Sequence, residues 1–286
     1  MTTLPYRVEQ TMNKLCSALA ARMTTIEAVY LYGSVALQDY IEGSSDIDFI
    51  AVLRQTPTEE ELEAIRLAHE EVEAELPNTD IMGSYILREE LGKQADARTP
   101  IMTYFDKQVR TDGHGADLNP ITWWILKQHG IRIYGNELPF DYELDENELT
   151  RYVLHNMNHY WTQWIDRLER QLALVQDIQA DLPVEQLDEA VEWCALGMLR
   201  QLYTIRERAI TSKVKAGLYA MEQLPERWHG VIFEAIAIKE RKPHRYYSLQ
   251  RDRLTDLVGL MRFIHLEANR QGVAVRIEDQ EEESGC

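Results

Sequence analysis

The chain has 286 residues, 45% hydrophobic and 27% charged, which leaves room for two ordinary domains of the soluble globular class. Its 48 acidic residues against 30 basic ones give a net charge of −18, which repels nucleic-acid phosphates and anionic membranes and steers cations inward. No leader-like basic-then-apolar stretch and no apolar run of membrane-spanning length is present. Cys16, Cys194 and Cys286 form no CxxC. The expectation is a cytoplasmic monomer with reduced thiols that partners neither nucleic acid nor membrane.

Taken in chain order, Met12, Leu15, Leu19 and Met23 recur at helical spacing and predict a helix from about Tyr6 to Met23. Ile26 to Tyr32 is rich in β-formers and runs into Gly33, a strand entering a tight turn. Asp46 to Leu53 predicts a second strand whose continuously apolar later half suits burial on both faces. Pro57-Thr58 opens a helix carrying Leu62, Ile65, His69, Val72 and Leu76, with Glu59, Glu60 and Glu61 in its first turn, where the helix dipole favours them. Thr79 to Leu87 predicts a third strand. Residues 88–119 are polar and show no clear period, Ile121 to Gln128 predicts a short helix, and Ile131 to Tyr134 a short strand.

From about Glu146 onward the signals are helical only. Val153, Met157, Trp161, Trp164, Leu168 and Leu172 form one stripe, and Leu254, Leu257, Val258, Met261 and Ile264 form another. The expected fold class is therefore an α/β (α+β) domain with a mixed sheet over residues 1–145, then an all-α helical-bundle domain over 146–276. Residues 277–286, rich in glutamate, read as a disordered acidic tail.

The chemistry concentrates around Gly33-Ser34 and, after a spacer, Asp46-Ile47-Asp48. Residues i and i+2 of a strand share a face, so Asp46 and Asp48 project together while Ile47 turns into apolar packing. Two adjacent carboxylates stay ionised at low cost by sharing a cation, and magnesium takes one or two carboxylates together with substrate phosphates. Gly33 lets backbone approach a phosphate, and Ser34 offers an N–H and a hydroxyl. Asp80, opening the third strand, is the candidate third carboxylate, as a metal neighbour or as the base for an attacking hydroxyl. His155 and His159 lie four apart on a helix, but no third ligand is evident, so they read as ordinary polar positions. Trp123, Trp124, Trp161 and Trp164 read as core rather than a stacking platform.

Gly33-Ser34 followed by Asp46-x-Asp48 resembles the signature of the nucleotidyltransferase superfamily, and from about residue 26 to 270 the chain looks most like the aminoglycoside adenylyltransferases that modify streptomycin and spectinomycin. The resemblance implies transfer of AMP from ATP, with magnesium, to a hydroxyl of an aminocyclitol or aminoglycoside, releasing pyrophosphate. It also implies an arginine and a lysine from the helical domain on the triphosphate. These fall on Arg200 and Lys213, with Met221-Glu222-Gln223-Leu224-Pro225 following as in the family. Glutamate usually stands in the family where Asp80 stands here. The family's acidic acceptor residue falls on Ala190, so Asp188, Glu189 and Glu192 are the candidate acceptor contacts, and Tyr104, Phe105 and Asp106 candidate acceptor-contacting positions in the unassigned segment. The rival readings are a nucleotidyltransferase that modifies a protein partner or another small molecule, and a non-catalytic nucleotide-binding regulator of the same fold.

Overall fold

In the computed structural model of the chain the described residues are 3–93, 102–178, 183–243 and 245–284, with side chains described for all of these except 175–178 and 272–284. They form two compact units, Met1–Leu144 and Asp145–Cys286.

In the first unit, α1 (Tyr6–Ala20) is followed by β1 (Ile26–Leu31), a single helical turn α2 (Gly33–Ala36), β2 (Ile47–Leu53), α3 (Glu59–Glu75) and β3 (Ile81–Leu87). A hairpin of β4 (Met102–Phe105) and β5 (Gln108–Arg110), the helix α4 (Pro120–His129) and β6 (Ile131–Gly135) complete it. The six strands make one mixed sheet in the order β5-β4-β3-β2-β1-β6, in which only β2 and β3 pair in parallel. A parallel pair needs a crossover, and α3 supplies it. Its start is fixed by a capping box: Thr58 accepts from the Glu61 N–H while Glu61 accepts from the Thr58 N–H.

The residues of β2 sort by parity. Ile47, Phe49, Ala51 and Leu53 join Met12, Leu15 and Leu19 of α1 and Ile65 and Val72 of α3 in one core. Asp46 and Asp48 therefore project on the opposite side. Inside this core His69 of α3 is buried. Its Nε2 lies 2.7 Å from the Tyr85 hydroxyl and its ring stacks on Tyr104 at 3.6 Å between centroids. Tyr104 is itself buried and hydrogen-bonds Glu73, so this candidate acceptor residue is a core residue.

Burial pulls the His69 pKa from 6.5 down to about 3. The folded state thus refuses a proton that the unfolded chain accepts. His69 leaves stability intact above pH 6.5, and stability falls as pH drops from 6.5 toward 3. Chemical denaturation at a series of pH values is expected to show a loss of about 1.4 kcal/mol per unit in that window. The slope should shrink in His69→Gln, and an unchanged slope would remove His69 as its source.

The second unit is helical: α5 (Glu146–Ile178), α6 (Val184–Val191), α7 (Gly197–Glu207), α8 (Lys213–Gln223), α9 (His229–Lys239) and α10 (Gln250–Ser284). Between α6 and α7 the chain stays helical through one π-turn, Glu192–Leu196. Val153, Met157, Trp161 and Leu168 of α5 are buried, as are Leu254, Leu257, Met261 and Ile264 of α10. The acidic residues read as a tail continue the backbone of α10 to Ser284, where the good helix formers glutamate and glutamine predominate and no proline interrupts. Cys16 and Cys194 are free and buried, while Cys286 lies outside the described residues. No helix among the described residues is long and apolar enough to cross a membrane.

Candidate functional site

The first cluster forms where β1 ends beside the start of β2. The Tyr32 N–H donates to the Asp48 carbonyl at 3.1 Å, which brings the turn after β1 against Asp48. Gly33 adopts φ +60°, and a methyl group on its Cα would overlap Asp48 Oδ2 and fall 2.7 Å from Asp48 Cγ. Only glycine meets both demands, the left-handed backbone and the close approach. The next residue presents a buried hydroxyl: Ser34 Oγ has no hydrogen-bond partner among the described residues.

Asp46 and Asp48 are both half-buried, while Ile47 between them is fully buried. Asp80 is exposed and immediately precedes β3. The Ile47 N–H donates to the Asp80 carbonyl at 2.8 Å, and Ile47 pairs with Ile81, so Asp46 and Asp80 enter adjacent parallel strands at the same level. Two tyrosines register the resulting field. Burial, and then the charges of Asp48, Asp117 and Asp46, push the Tyr32 hydroxyl well above its ordinary range. Tyr40 is raised by burial and by Glu42, Asp46 and Asp80, against the opposing pull of Arg7. Arg7 is held near this edge by its Nε donating to Thr79 Oγ1 at 2.7 Å.

Asp117 is the member of this group that the sequence does not flag. It lies two residues before Asn119, which caps α4 by accepting from the Ile121 and Thr122 N–H groups, and Asn119 Nδ2 donates to Asp117 Oδ1 at 2.5 Å. Its only local signal is that Asx-rich entry to a helix.

Among the described residues no three His, Cys, Asp or Glu side chains stand close enough together to cage a metal. Magnesium does not require such a cage: one or two carboxylates and the substrate's own phosphates suffice. The half-buried Asp46 and Asp48 pair, beside the unpartnered Ser34 hydroxyl and the bare Gly33 Cα, fits that requirement.

In the helical unit, Arg200 is half-buried on α7 and Lys213 is the first residue of α8. Lys213 Nζ lies 2.8 Å from Glu192 Oε1, and burial lowers the lysine pKa. Asp188 Oδ1 takes Arg253 Nη2 at 2.6 Å and Asp188 Oδ2 takes Arg245. Two of the three candidate acceptor carboxylates, Asp188 and Glu192, are therefore paired within the fold, because residues distant in sequence supply cations to them. Glu189 is exposed on α6.

Residues 12–107 match the nucleotidyltransferase domain, and residues 162–263 match the C-terminal domain of aminoglycoside adenylyltransferase. The chain is a nucleotidyltransferase resembling the aminoglycoside adenylyltransferases. Among solved structures, the spectinomycin adenyltransferase AAD(9) from Enterococcus faecialis, determined with ATP and spectinomycin, aligns with 91% of this chain and 98% of its own. The TM-score is 0.61 and the identity 16%, a likeness of fold. The STING-associated CdnE c-di-GMP synthase from Capnocytophaga granulosa aligns with 92% of this chain and 81% of its own, at 14% identity. Its TM-score of 0.28 is too low for a shared arrangement. No curated protein matches the chain. The nucleotidyltransferase match contains Gly33, Ser34, Asp46, Asp48 and Asp80, and the C-terminal match contains Arg200 and Lys213.

Proposed function

We propose that the chain transfers AMP from ATP to a hydroxyl of an aminocyclitol or aminoglycoside, such as spectinomycin or streptomycin, and releases pyrophosphate. The observation that carries this reading is the seating of the Gly33-Ser34 turn directly on the Asp48 carboxylate, with the Ser34 hydroxyl left for a ligand. The turn receives phosphate oxygens through the Ser34 N–H and hydroxyl, while the absent Cβ at Gly33 keeps the approach open. Asp46 and Asp48 would hold magnesium, which when bound offsets charge on the phosphates. Asp80, exposed beside Asp46, accepts the proton of the acceptor hydroxyl, whose oxygen bonds to the α-phosphorus as the bond to pyrophosphate breaks. Arg200 and Lys213 supply positive charge for the triphosphate.

Charge supports the acceptor class. Asp46, Asp48 and Asp117 act on Tyr32, and Glu42, Asp46 and Asp80 on Tyr40, in a chain of net charge −18. Such a field favours a polycation, because each ammonium meeting a carboxylate at ~4 Å near a protein surface gains a few kcal/mol.

Incubation with ATP, magnesium and either drug, followed by mass spectrometry, tests the reading. The expected product is the drug carrying one AMP, with stoichiometric pyrophosphate. AMP found only on protein would replace the drug by a protein acceptor. ATP binding without pyrophosphate release across a panel of aminocyclitols would make the chain a non-catalytic binder.

A further inference from the structure

The π-turn between α6 and α7 contains a feature that the reaction above does not use. π-turns of this kind recur at functional positions, where the extra residue re-aims neighbouring side chains. Here it carries Glu192 and Trp193, and both meet Lys213. Glu192 Oε1 stands 2.8 Å from the ammonium, and both side chains are 15% exposed. The Trp193 ring centroid lies 4.7 Å from the same nitrogen, within cation–π range. Trp193 is fixed in turn by its Nε1–H donating to the Tyr160 hydroxyl at 3.1 Å.

Lys213 sits where a lysine is least favoured. It is the first residue of a helix, whose dipole repels a cation, and it is largely removed from water. Arg200 of α7 and Lys239 of α9 add repulsion, and Glu192 supplies the attraction. The buried Cys194 thiol, with Arg167 of α5 in reach of it, completes the titratable surroundings.

We propose that Glu192, with Trp193, is a positioning residue that keeps the Lys213 ammonium charged and aimed for the nucleotide's triphosphate, rather than a contact to the acceptor. The inference rests on the reading of Lys213 as a triphosphate group. Without the carboxylate, a lysine among other cations gives up its proton at lower pH. Bound triphosphate then meets a neutral amine.

Titration calorimetry of ATP with magnesium, and separately of spectinomycin, between about pH 7.5 and 10.5 tests this on the intact chain. In the unaltered protein ATP affinity is expected to fall as pH rises through the Lys213 ionisation. In Glu192→Gln the fall should begin about one pH unit lower, so that affinity at the alkaline end of the range is reduced by up to about tenfold, and spectinomycin binding should be unchanged. Adding Lys213→Arg to that variant should flatten the pH limb, because arginine stays charged. Glu192→Asp, which keeps the charge, should keep the limb near its original pH and serves if the glutamine variant does not fold. A Glu192→Gln protein with unaltered ATP affinity and limb, when Lys213→Met weakens ATP, overturns the positioning role alone. An effect of Glu192→Gln on spectinomycin but not ATP returns Glu192 to the acceptor. Lys213→Met with full ATP affinity overturns the triphosphate reading itself.

Discussion

Asp48→Asn is expected to lower nucleotidyl transfer by roughly a hundredfold to a thousandfold, the order seen when one preorganised electrostatic group is removed from a reacting centre. The substitution keeps the shape of the side chain and removes its charge. Asp48 is half-buried, its Oδ2 lies against Gly33, and Asp46 immediately precedes its strand. Thermal stability should hold or rise, since the change removes one negative charge from a surface where Asp46, Asp48, Asp80 and Asp117 all act on nearby tyrosines. Pyrophosphate release and a melting curve on the same sample separate the two effects. Asp46→Asn should behave alike, and chelation of divalent metal should abolish turnover in the unaltered protein. Wild-type turnover in both asparagine variants would refute the assignment of these carboxylates to metal and phosphate.

Gly33→Ala is expected to damage both stability and turnover, which distinguishes it from the asparagine variants. At φ +60° an L-residue costs about 1–2 kcal/mol relative to glycine. The added methyl also overlaps the Asp48 carboxylate, so either the turn or Asp48 must move. A displacement of about 1 Å at a reacting centre costs on the order of a hundredfold in rate. The net charge is untouched, so a large loss of activity in Gly33→Ala isolates geometry from electrostatics. Full activity with only a lowered melting temperature would reduce Gly33 to a structural glycine.

Much of this arrangement is legible in the sequence, for local reasons. The alternation over Asp46 to Phe49 separates carboxylates from core, and Ile47 and Phe49 are fully buried on the side that α1 and α3 cover. The β4–β5 hairpin escaped because its two-residue turn is Asp106-Lys107, both at positive φ, where the usual Asn-Gly or Asp-Gly signal is missing. Tyr104 escaped for another reason. An aromatic residue in a polar segment resembles a ligand contact until His69, 35 positions earlier, is found stacked on its ring. The π-turn at Glu192 leaves no mark in helical periodicity, because one extra residue per turn changes the phase without changing the residue types.

By itself, then, the sequence determined the candidate site's ingredients: a glycine-serine turn, two carboxylates at the start of one strand, and a third at the next parallel strand. Those depend on periods of two and on turn chemistry, which act between near neighbours. Tertiary structure decided what each charge does. Asp188 is neutralised by Arg253 from 65 residues away and Glu192 by Lys213 from 21, and Asp48 meets the Cα of Gly33 across two strands. No local pattern encodes such pairs, because their Coulomb energy depends on through-space distance and burial, quantities that exist only once the chain has folded.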